Sequence, residues 1–505
     1  MSTWVTTLFL LLAMATNVSC KEEEEDMAKW DCSGTIHGDD CRLSRVALHQ
    51  EAVRMAHDRV VNARNWAQTS LSLENSDHKL GCSDSIALSD CVKLYEDSDH
   101  KLRRLLYLID DVRMWLSGVL TNHRTCLDGL SERGYFMPDQ VTHNLNHNLN
   151  VLLSKALALY GLETHEKGKV ALRSNAGVNQ GNLVSWDATI SKADFVVAKD
   201  GSGNYKTINE AIAALAKMGP KRPDRVAIYV KSGVYSEKVE IERDMKNVMF
   251  VGDGIDKTIV TGNRNVQDGA TTLSSATFGV SGDGFRARDK NTAGPQKYQA
   301  VALRVSSDLS VFYRCSFKGY QDTLLVHSLR QFYRDCHVYG TIDFIFGNAA
   351  TILQNCDIYI KRPMDYQGNM ITAQGRDDPN ENTGISIHGS WVSPTPDFKA
   401  VKGLFKSYLG RPWKKYSRTV FLKTDLDGVI DPKGWTEWSG DFGLATLFYG
   451  EYMNSGNGAF TGKRVKWPGF HVLNDSSDAS RFCVSNFIQG ESWIPVTGVP
   501  FSPGI

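Results

Sequence analysis

One short pattern returns at nearly constant spacing, and it restricts the fold more than any other feature of the chain. Val311-Phe312-Tyr313-Arg314-Cys315 recurs as Gln331-Phe332-Tyr333-Arg334-Asp335-Cys336 and, more loosely, as Ile352-Leu353-Gln354-Asn355-Cys356, with cysteine offsets of 21 and 20 residues. Runs such as Ile228-Tyr229-Val230, Val248-Met249-Phe250-Val251 and Ile259-Val260, set between Gly, Asn and Asp, read as short strands and turns. A repeat of this length with no helix inside it predicts a parallel β-helix over residues 193–505. A leucine-rich repeat has a similar period, but its Leu-x-x-Leu-x-Leu pattern is missing. Cys315, Cys336 and Cys356 are then expected to stack as a buried ladder of thiols rather than as disulfides.

The same spacing brings chemistry together. Residues one period apart lie on adjacent coils, about 4.8 Å apart at the backbone. Asp322 and Asp343 differ by 21, the offset of Cys315 and Cys336, so their carboxylates are expected side by side. Two carboxylates that close cannot both ionise freely; one pKa rises and the pair splits into an acid and a base or nucleophile. Gln299, 22 residues before Gln321, falls near the same column one coil earlier. Two neutral amide donors beside a carboxylate pair are suited to holding an oxyanion. A single Asp in a turn is most simply a chain-reversal residue. The four aligned residues make that explanation weaker for the set, although spacing alone does not separate ester hydrolysis from glycoside cleavage.

Residues 42–160 carry a different period. Val46, Val53, Ala56, Val60, Ala63 and Ala67 form one helical stripe. Further stripes are Cys91, Leu94, Leu102, Leu105 and Ile109; Val112, Trp115, Leu116 and Val119; and Leu145, Leu149, Leu152, Ala156 and Tyr160. Four amphipathic helices with short connections predict an all-α four-helix bundle. Cys91 and Cys126 are candidates to tie the second helix to the third, and Cys32 and Cys41 to close a small loop, with Cys82 left over. Residues 161–192 lack periodicity and read as a linker. The chain has no net charge, but residues 1–190 carry about −6 and the remainder about +6, which favours contact between the parts. The apolar run Leu8 to Ala15, followed by Val18-Ser19-Cys20 and an acidic stretch, reads as a signal peptide over residues 1–20. It is far below the ~20 residues of a membrane span. No cysteine or histidine cluster has zinc-ligand spacing.

With these residues in view a resemblance becomes specific. Gly233-Val-Tyr-Ser-Glu237, Gln299-Ala-Val-Ala-Leu303, Gly319-Tyr-Gln-Asp-Thr-Leu324, Asp343-Phe-Ile-Phe-Gly347, Leu409-Gly-Arg-Pro-Trp413, Tyr449-Gly-Glu-Tyr452 and Trp467-Pro-Gly469 occur in order. They make residues 193–505 similar to plant pectinesterases. Residues 27–160 resemble the pectinesterase-inhibitor domain that precedes many of them, through Ala87-Leu-Ser-Asp-Cys91 and Thr125-Cys-Leu-Asp128. The resemblance implies an all-β right-handed parallel β-helix after the all-α bundle, and a secreted, monomeric cell-wall esterase that needs no cofactor or metal. Its partners would be methyl-esterified pectin and inhibitor proteins, with no nucleic acid and no membrane span. It implies that Asp343 is the nucleophile, Asp322 the acid and then the base, and Gln299 and Gln321 the oxyanion donors. Arg411 would hold Asp343 ionised by lowering its pKa, and Trp413 and Phe346 would be stacking platforms for sugar rings.

Departures from the pattern are also legible. Only Lys290 stands where a short strand is usual, which predicts the loss of most of one strand next to Gln299. Leu325 and Leu273 replace aromatic residues and thin the cleft. The linker offers only single basic residues, Lys167, Lys169 and Arg173, for processing, and Arg103-Arg104 falls inside a helix. Asn474-Asp475-Ser476 is a glycosylation sequon. Against a serine esterase stands the absence of Gly-x-Ser-x-Gly; against a lyase stands the absence of clustered acidic calcium ligands. A non-catalytic wall protein acting through its helical domain has no need of all five polar residues at the site.

Overall fold

The computed structural model describes residues 39–77, 82–105, 111–135, 137, 148–163, 191–219, 222–288, 291–292, 296 and 298–505. Residues 52–505 form one compact unit; Met1–Glu51 forms another, of which only the start of one helix is described. The Cys32–Cys41 pair and the signal peptide lie outside the described residues, as do residues 164–190 of the linker expected over 161–192, whose first three residues instead continue the helix Asn150–Glu163.

From Val226 the chain winds through three parallel sheets of eleven, eight and seven strands, entering them in the same order on each turn. Pairing is in register with the repeat: Val311 lies beside Phe332, and Phe332 beside Ile352. The corner after each strand of the eleven-stranded sheet needs a left-handed residue. Arg314, Asp335 and Asn355 supply it at φ of 53°, 51° and 57°. Asn and Asp enter this region more readily than other non-glycine residues, which explains why turn residues recur just before each ladder cysteine. Cys315, Cys336 and Cys356 follow directly as buried thiols, with the Cys315 amide 3.4 Å from Cys336 Sγ. Phe312 stacks on Tyr333 at 4.9 Å and touches Phe285 at 5.7 Å, so aromatic rings repeat down the core at the coil period. Each such residue contributes about 1.5–3 kcal/mol by leaving water. Helix Ile208–Met218, with a capping box between Thr207 and Glu210, packs Ile208, Ala211, Ile212 and Leu215 into the same core at its N-terminal end.

The strand near Lys290, expected to lose most of its length, is reduced to two residues. Arg286–Arg288 is followed almost at once by the two-residue strand Asn291–Thr292, which pairs with Val260–Thr261 on one side and Phe317–Lys318 on the other. A rung needs only enough backbone to bridge its neighbours, so the missing residues narrow the sheet without interrupting it.

The stripes predicted as helices are helices: α1 (Asp39–Asp77), α2 (Cys82–Leu105), α3 (Val112–Glu132) and α4 (Asn150–Glu163). Ile109 of the second stripe and Leu145 of the fourth lie outside the described residues. Cys91 and Cys126 are joined, with Cα atoms 4.7 Å apart, and so fix α2 to α3. In the chain-entropy picture a crosslink spanning 35 residues contributes roughly 3–4 kcal/mol. Replacing both cysteines by serine should therefore lower the stability of the α2–α3 pair by about that amount. The loss should appear as a shift of the denaturant midpoint followed by helical circular dichroism.

Candidate active site

The seven-stranded sheet carries the site. Its strands are β1 (Val239–Ile241), β2 (Phe278–Val280), β3 (Leu303–Val305), β4 (Leu324–Val326), β5 (Ile345–Gly347), β6 (Asn369–Gln374) and β7 (Ser407–Gly410). Strand alternation sends Leu303, Val305, Leu324, Val326 and Ile345 into the core. The outer face is the column Glu240, Gly279, Arg304, Leu325, Phe346 and Ala373, each paired with the next.

The corners leading into β4 and β5 hold Asp322 and Asp343, both left-handed at φ of 63° and 49°. The Asp322 amide donates to the Ile342 carbonyl at 3.0 Å, which sets the two aspartates on neighbouring coils. Ala300 N–H donates to the Gln321 carbonyl at 3.3 Å, so Gln299 and Gln321 are neighbours in the same way. The αL conformation suits a turn aspartate, but both side chains are almost fully buried, which chain reversal alone does not require. Arg411, just past β7, grips Asp343 with two parallel bonds, Nε to Oδ1 at 2.9 Å and Nη2 to Oδ2 at 2.6 Å. Asp322 has no such cation. Burial first, then the charge of Asp343 and then that of Glu132 push its carboxyl well above the usual range. Asp343 also lies above its usual value, because burial outweighs the Arg411 guanidinium. Arg411 thus limits the rise rather than lowering Asp343 below an ordinary carboxylate, which corrects the expectation from sequence.

Trp413 and Phe346 meet edge to face at 6.0 Å, with Phe346 only 4% exposed. Leu325 and Leu273 are both buried beside them. Trp438, which the sequence did not single out, lies under the Arg411 guanidinium at 4.2 Å, so Arg411 is held between a carboxylate and an indole. Nothing in the local sequence around Trp438 signals this contact; it depends on how a later loop folds back. Asn474 is exposed, immediately before the Asp475 cap of helix Ser476–Ser480.

Helix α3 lies across this groove. A chamber of about 190 Å³ is enclosed between Leu325, Phe346 and Trp413 on one side and Thr125, Gly129 and Glu132 on the other. Glu132 accepts from the Thr272 amide and hydroxyl, both at 2.9 Å. Asp128 pairs with Lys414 at 3.0 Å. Thr125 Oγ1 lies 2.9 Å from His327 Nε2, and burial drives that imidazole down to about 3, so it is neutral. Thr121 accepts from Asn348, which also donates to the buried Glu381 at 2.7 Å, and Arg124 reaches Glu381 at 3.4 Å. At the head of α3, Asp111 shares Arg330 with Asp308 at 2.8 and 2.7 Å.

The fold is thus a parallel β-helix whose outer groove holds a buried carboxylate pair, one member clamped by arginine, beside aromatic side chains. Comparison with known proteins gives the chemistry. Residues 194–491 match the pectinesterase family model, and residues 19–159 match that of the plant invertase/pectin methylesterase inhibitors. A probable pectinesterase/pectinesterase inhibitor of Arabidopsis thaliana is 57% identical over 90% of this chain and 94% of its own length. Pectinesterase 2 of Citrus sinensis is 51% identical over 83% of this chain and 82% of its own. Among solved structures, pectin methylesterase from carrot superposes with a TM-score of 0.61 at 52% identity, covering 63% of this chain and all of that one. The chain belongs to the pectinesterase family: it is a pectin methylesterase joined to an inhibitor-like helical segment.

Removing single charges should move the two carboxyls in opposite directions. In Glu132→Gln, Asp322 should titrate at lower pH than in the parent, because a neighbouring negative charge is gone. In Arg411→Met, Asp343 should titrate at higher pH, because its cation is gone. Carboxyl 13C chemical shifts of labelled aspartate, followed through a pH series, check both signs.

Proposed function

We propose that Asp343 attacks the C6 carbonyl of a methyl-esterified uronate, forming an acyl-enzyme while Asp322 gives its proton to the departing methanol. Asp322 then takes a proton from water, the hydroxide adds to the acyl carbon, and Asp343 leaves as carboxylate with the free uronic acid as product. Gln299 and Gln321 donate to the oxyanion at each tetrahedral stage. The observation that carries this reading is the asymmetry of the pair. Asp343 is clamped by Arg411, whereas Asp322 makes no ion pair among the described residues; burial and the charges of Asp343 and Glu132 outweigh the more distant pull of Arg411 and favour its protonated form. Trp413 and Phe346 act as walls for the sugar ring, and Trp438 positions Arg411. Export to the cell wall, with a glycan at Asn474, fits the apolar run Leu8–Ala15 and the exposed sequon. No described helix is long and apolar enough to cross a membrane.

The helical segment acts as a cover that inhibits its own enzyme. Helix α3 fills the groove over Leu325 and Phe346 and is held by the Glu132–Thr272, Asp128–Lys414 and Asp111–Arg330 contacts. Gly129 lines the chamber and faces Thr271, where a Cβ would make ordinary contact at 3.7 Å. Asp128→Lys combined with Gly129→Leu sets two lysines together and wedges the helix outward. Methanol release from methyl-esterified pectin by the intact chain should rise at least ten-fold; an unchanged rate would reject the cover. In that opened background Asp343→Asn should abolish methanol release while circular dichroism and melting temperature stay as before. Full activity would remove Asp343 from the mechanism.

The cover should also respond to pH. Burial raises Asp90 of α2 and Glu132 of α3 above their ordinary values of 3.8 and 4.5 when docked. Undocking returns them toward those values, so the docked form holds protons that the open form releases. Docking is favoured in acid and weakens as pH climbs from the ordinary carboxyl range through the raised values. Amide exchange of α3, corrected for its intrinsic pH dependence, should show more frequent opening at pH 7 than at pH 4.

A further inference from the structure

Two loops meet at the end of the seven-stranded sheet where the chain enters its strands, and they meet through tyrosine. Tyr298 lies in the segment entering β3, and Tyr366 in the segment entering β6. Three rungs separate these strands, about 14 Å along the axis. The strands between them, β4 and β5, are the ones whose entry corners carry Asp322 and Asp343. The two loops therefore reach past the coils of the carboxylate pair, and the tyrosine hydroxyl oxygens come to 3.4 Å.

Both phenols are held where solvent reaches them: Tyr366 is 73% exposed and Tyr298 41%. Tyr366 sits in a turn closed by the Gln367 amide on the Met364 carbonyl at 2.9 Å and by the Met364 amide on the Gln367 side-chain oxygen at 3.3 Å. The Arg362–Asp365 pair, at 2.9 Å, lies in the same loop. Tyr298 is left-handed at φ of 54°, a conformation that a bulky residue keeps only where its surroundings impose it. The next residue, Gln299, accepts from the Val266 amide through its carbonyl at 3.1 Å, which ties this segment to the coil before it. Burial does not explain the position of Tyr366, because most of its surface stays in water. One long contact between exposed hydroxyls adds little stability, since water competes for both groups. What the arrangement does supply is two oxidisable rings whose hydroxyls, and the ortho carbons beside them, lie within reach of each other.

We propose that Tyr298 and Tyr366 form a site of oxidative cross-linking, joined by a carbon–carbon bond between the ring positions ortho to their hydroxyls. The co-reactant is hydrogen peroxide acting through a one-electron oxidant of the haem peroxidase class. Each phenol gives up one electron and its hydroxyl proton, which leaves two phenoxyl radicals. The unpaired electrons join two ortho carbons in a bond, and the hydrogen on each of those carbons moves to the neighbouring oxygen, restoring both aromatic hydroxyls. The protein loses two hydrogens in all, and one peroxide is reduced to two waters. Rotation of the exposed Tyr366 side chain closes the remaining distance. The bond ties the segment carrying Gln299 to the loop entering β6 and so braces the groove across the coils of Asp322 and Asp343. The coupling itself is independent of the esterase chemistry.

Two neighbours provide internal comparisons. Tyr339 and Tyr359 stack at 4.5 Å on the outer face of the eight-stranded sheet, but both are half-buried, and Lys318 lies over Tyr339 at 5.1 Å. Met364, whose Sδ is 3.8 Å from the Tyr366 hydroxyl, is a competing reductant, and its oxidation adds an oxygen instead of removing hydrogens.

The test treats the intact chain, at low concentration, with a haem peroxidase and stepwise additions of hydrogen peroxide, and maps linked peptides by mass spectrometry. A peptide pair containing Tyr298 and Tyr366, lighter by two hydrogens than the sum of its parts, should appear within single chains and before any Tyr339–Tyr359 link. Tyr298→Phe and Tyr366→Phe should each abolish it while keeping the parent melting temperature. In the linked chain, amide exchange of Gln299 and Ala300 should slow roughly ten-fold, and peroxide-treated Tyr366→Phe should show no slowing. Tyr298 links confined to dimers, Met364 sulfoxide with no link, or coupling at Tyr339–Tyr359 alone would overturn the site. Unchanged exchange in the linked chain would overturn the bracing.

Discussion

Everything in the groove depends on the register with which one coil hydrogen-bonds to the next. In-register parallel pairing fixes Asp322 beside the turn that carries Asp343, Gln299 beside Gln321, and Arg304 beside Leu325. A slip of one residue would exchange inner and outer faces, sending Leu324 and Ile345 into the groove and Leu325 and Phe346 into the core. The left-handed corner residues and the buried cysteine and aromatic ladders hold that register. They are the structural cost of a site built from short, separate pieces of chain.

Register places the carboxylates, but their different characters come from what surrounds them. Asp322 and Asp343 are chemically identical and equally buried, and each sits in a strained corner. What separates them is Arg411, delivered from two rungs further along the sheet and backed by Trp438. Direct pairing with the guanidinium on one side, and stronger repulsion from carboxylates than attraction to that cation on the other, push the two groups apart in proton affinity. The helical cover uses the same electrostatics. Asp128 of α3 pairs with Lys414, while Glu132 of α3 and Asp90 of α2 accept from Thr272 and Thr271. The opposite net charges of the two halves of the sequence are the coarse trace of this complementarity.

The cover also shows why the absence of a basic processing tetrad matters. Thirteen of the twenty-one residues of α3 are buried, along most of its length, and they include polar ones such as Thr121, Asn122 and Ser117. A helix held by buried polar contacts and tied to α2 through Cys91–Cys126 is an integral part of the folded unit.

By itself the sequence determined the periodic features. The offset of 21 residues forecasts the coil, the cysteine ladder and the adjacency of Asp322 and Asp343, because a solenoid converts spacing directly into contact. Helical stripes forecast α1 to α4 in the same way, and two cysteines forecast the link between α2 and α3. The shortened rung at Lys290 was visible as a deletion, but whether the sheet would break was not, since that depends on how little backbone a rung needs to bridge its neighbours. Tertiary structure alone decided the contacts that carry no period: Trp438 beneath Arg411, Glu240 reaching Arg304 over Gly279, and α3 across the groove. It also decided that burial outweighs Arg411 at Asp343. Desolvation is a sum over every atom packed around a group, and no local pattern of residues records that sum.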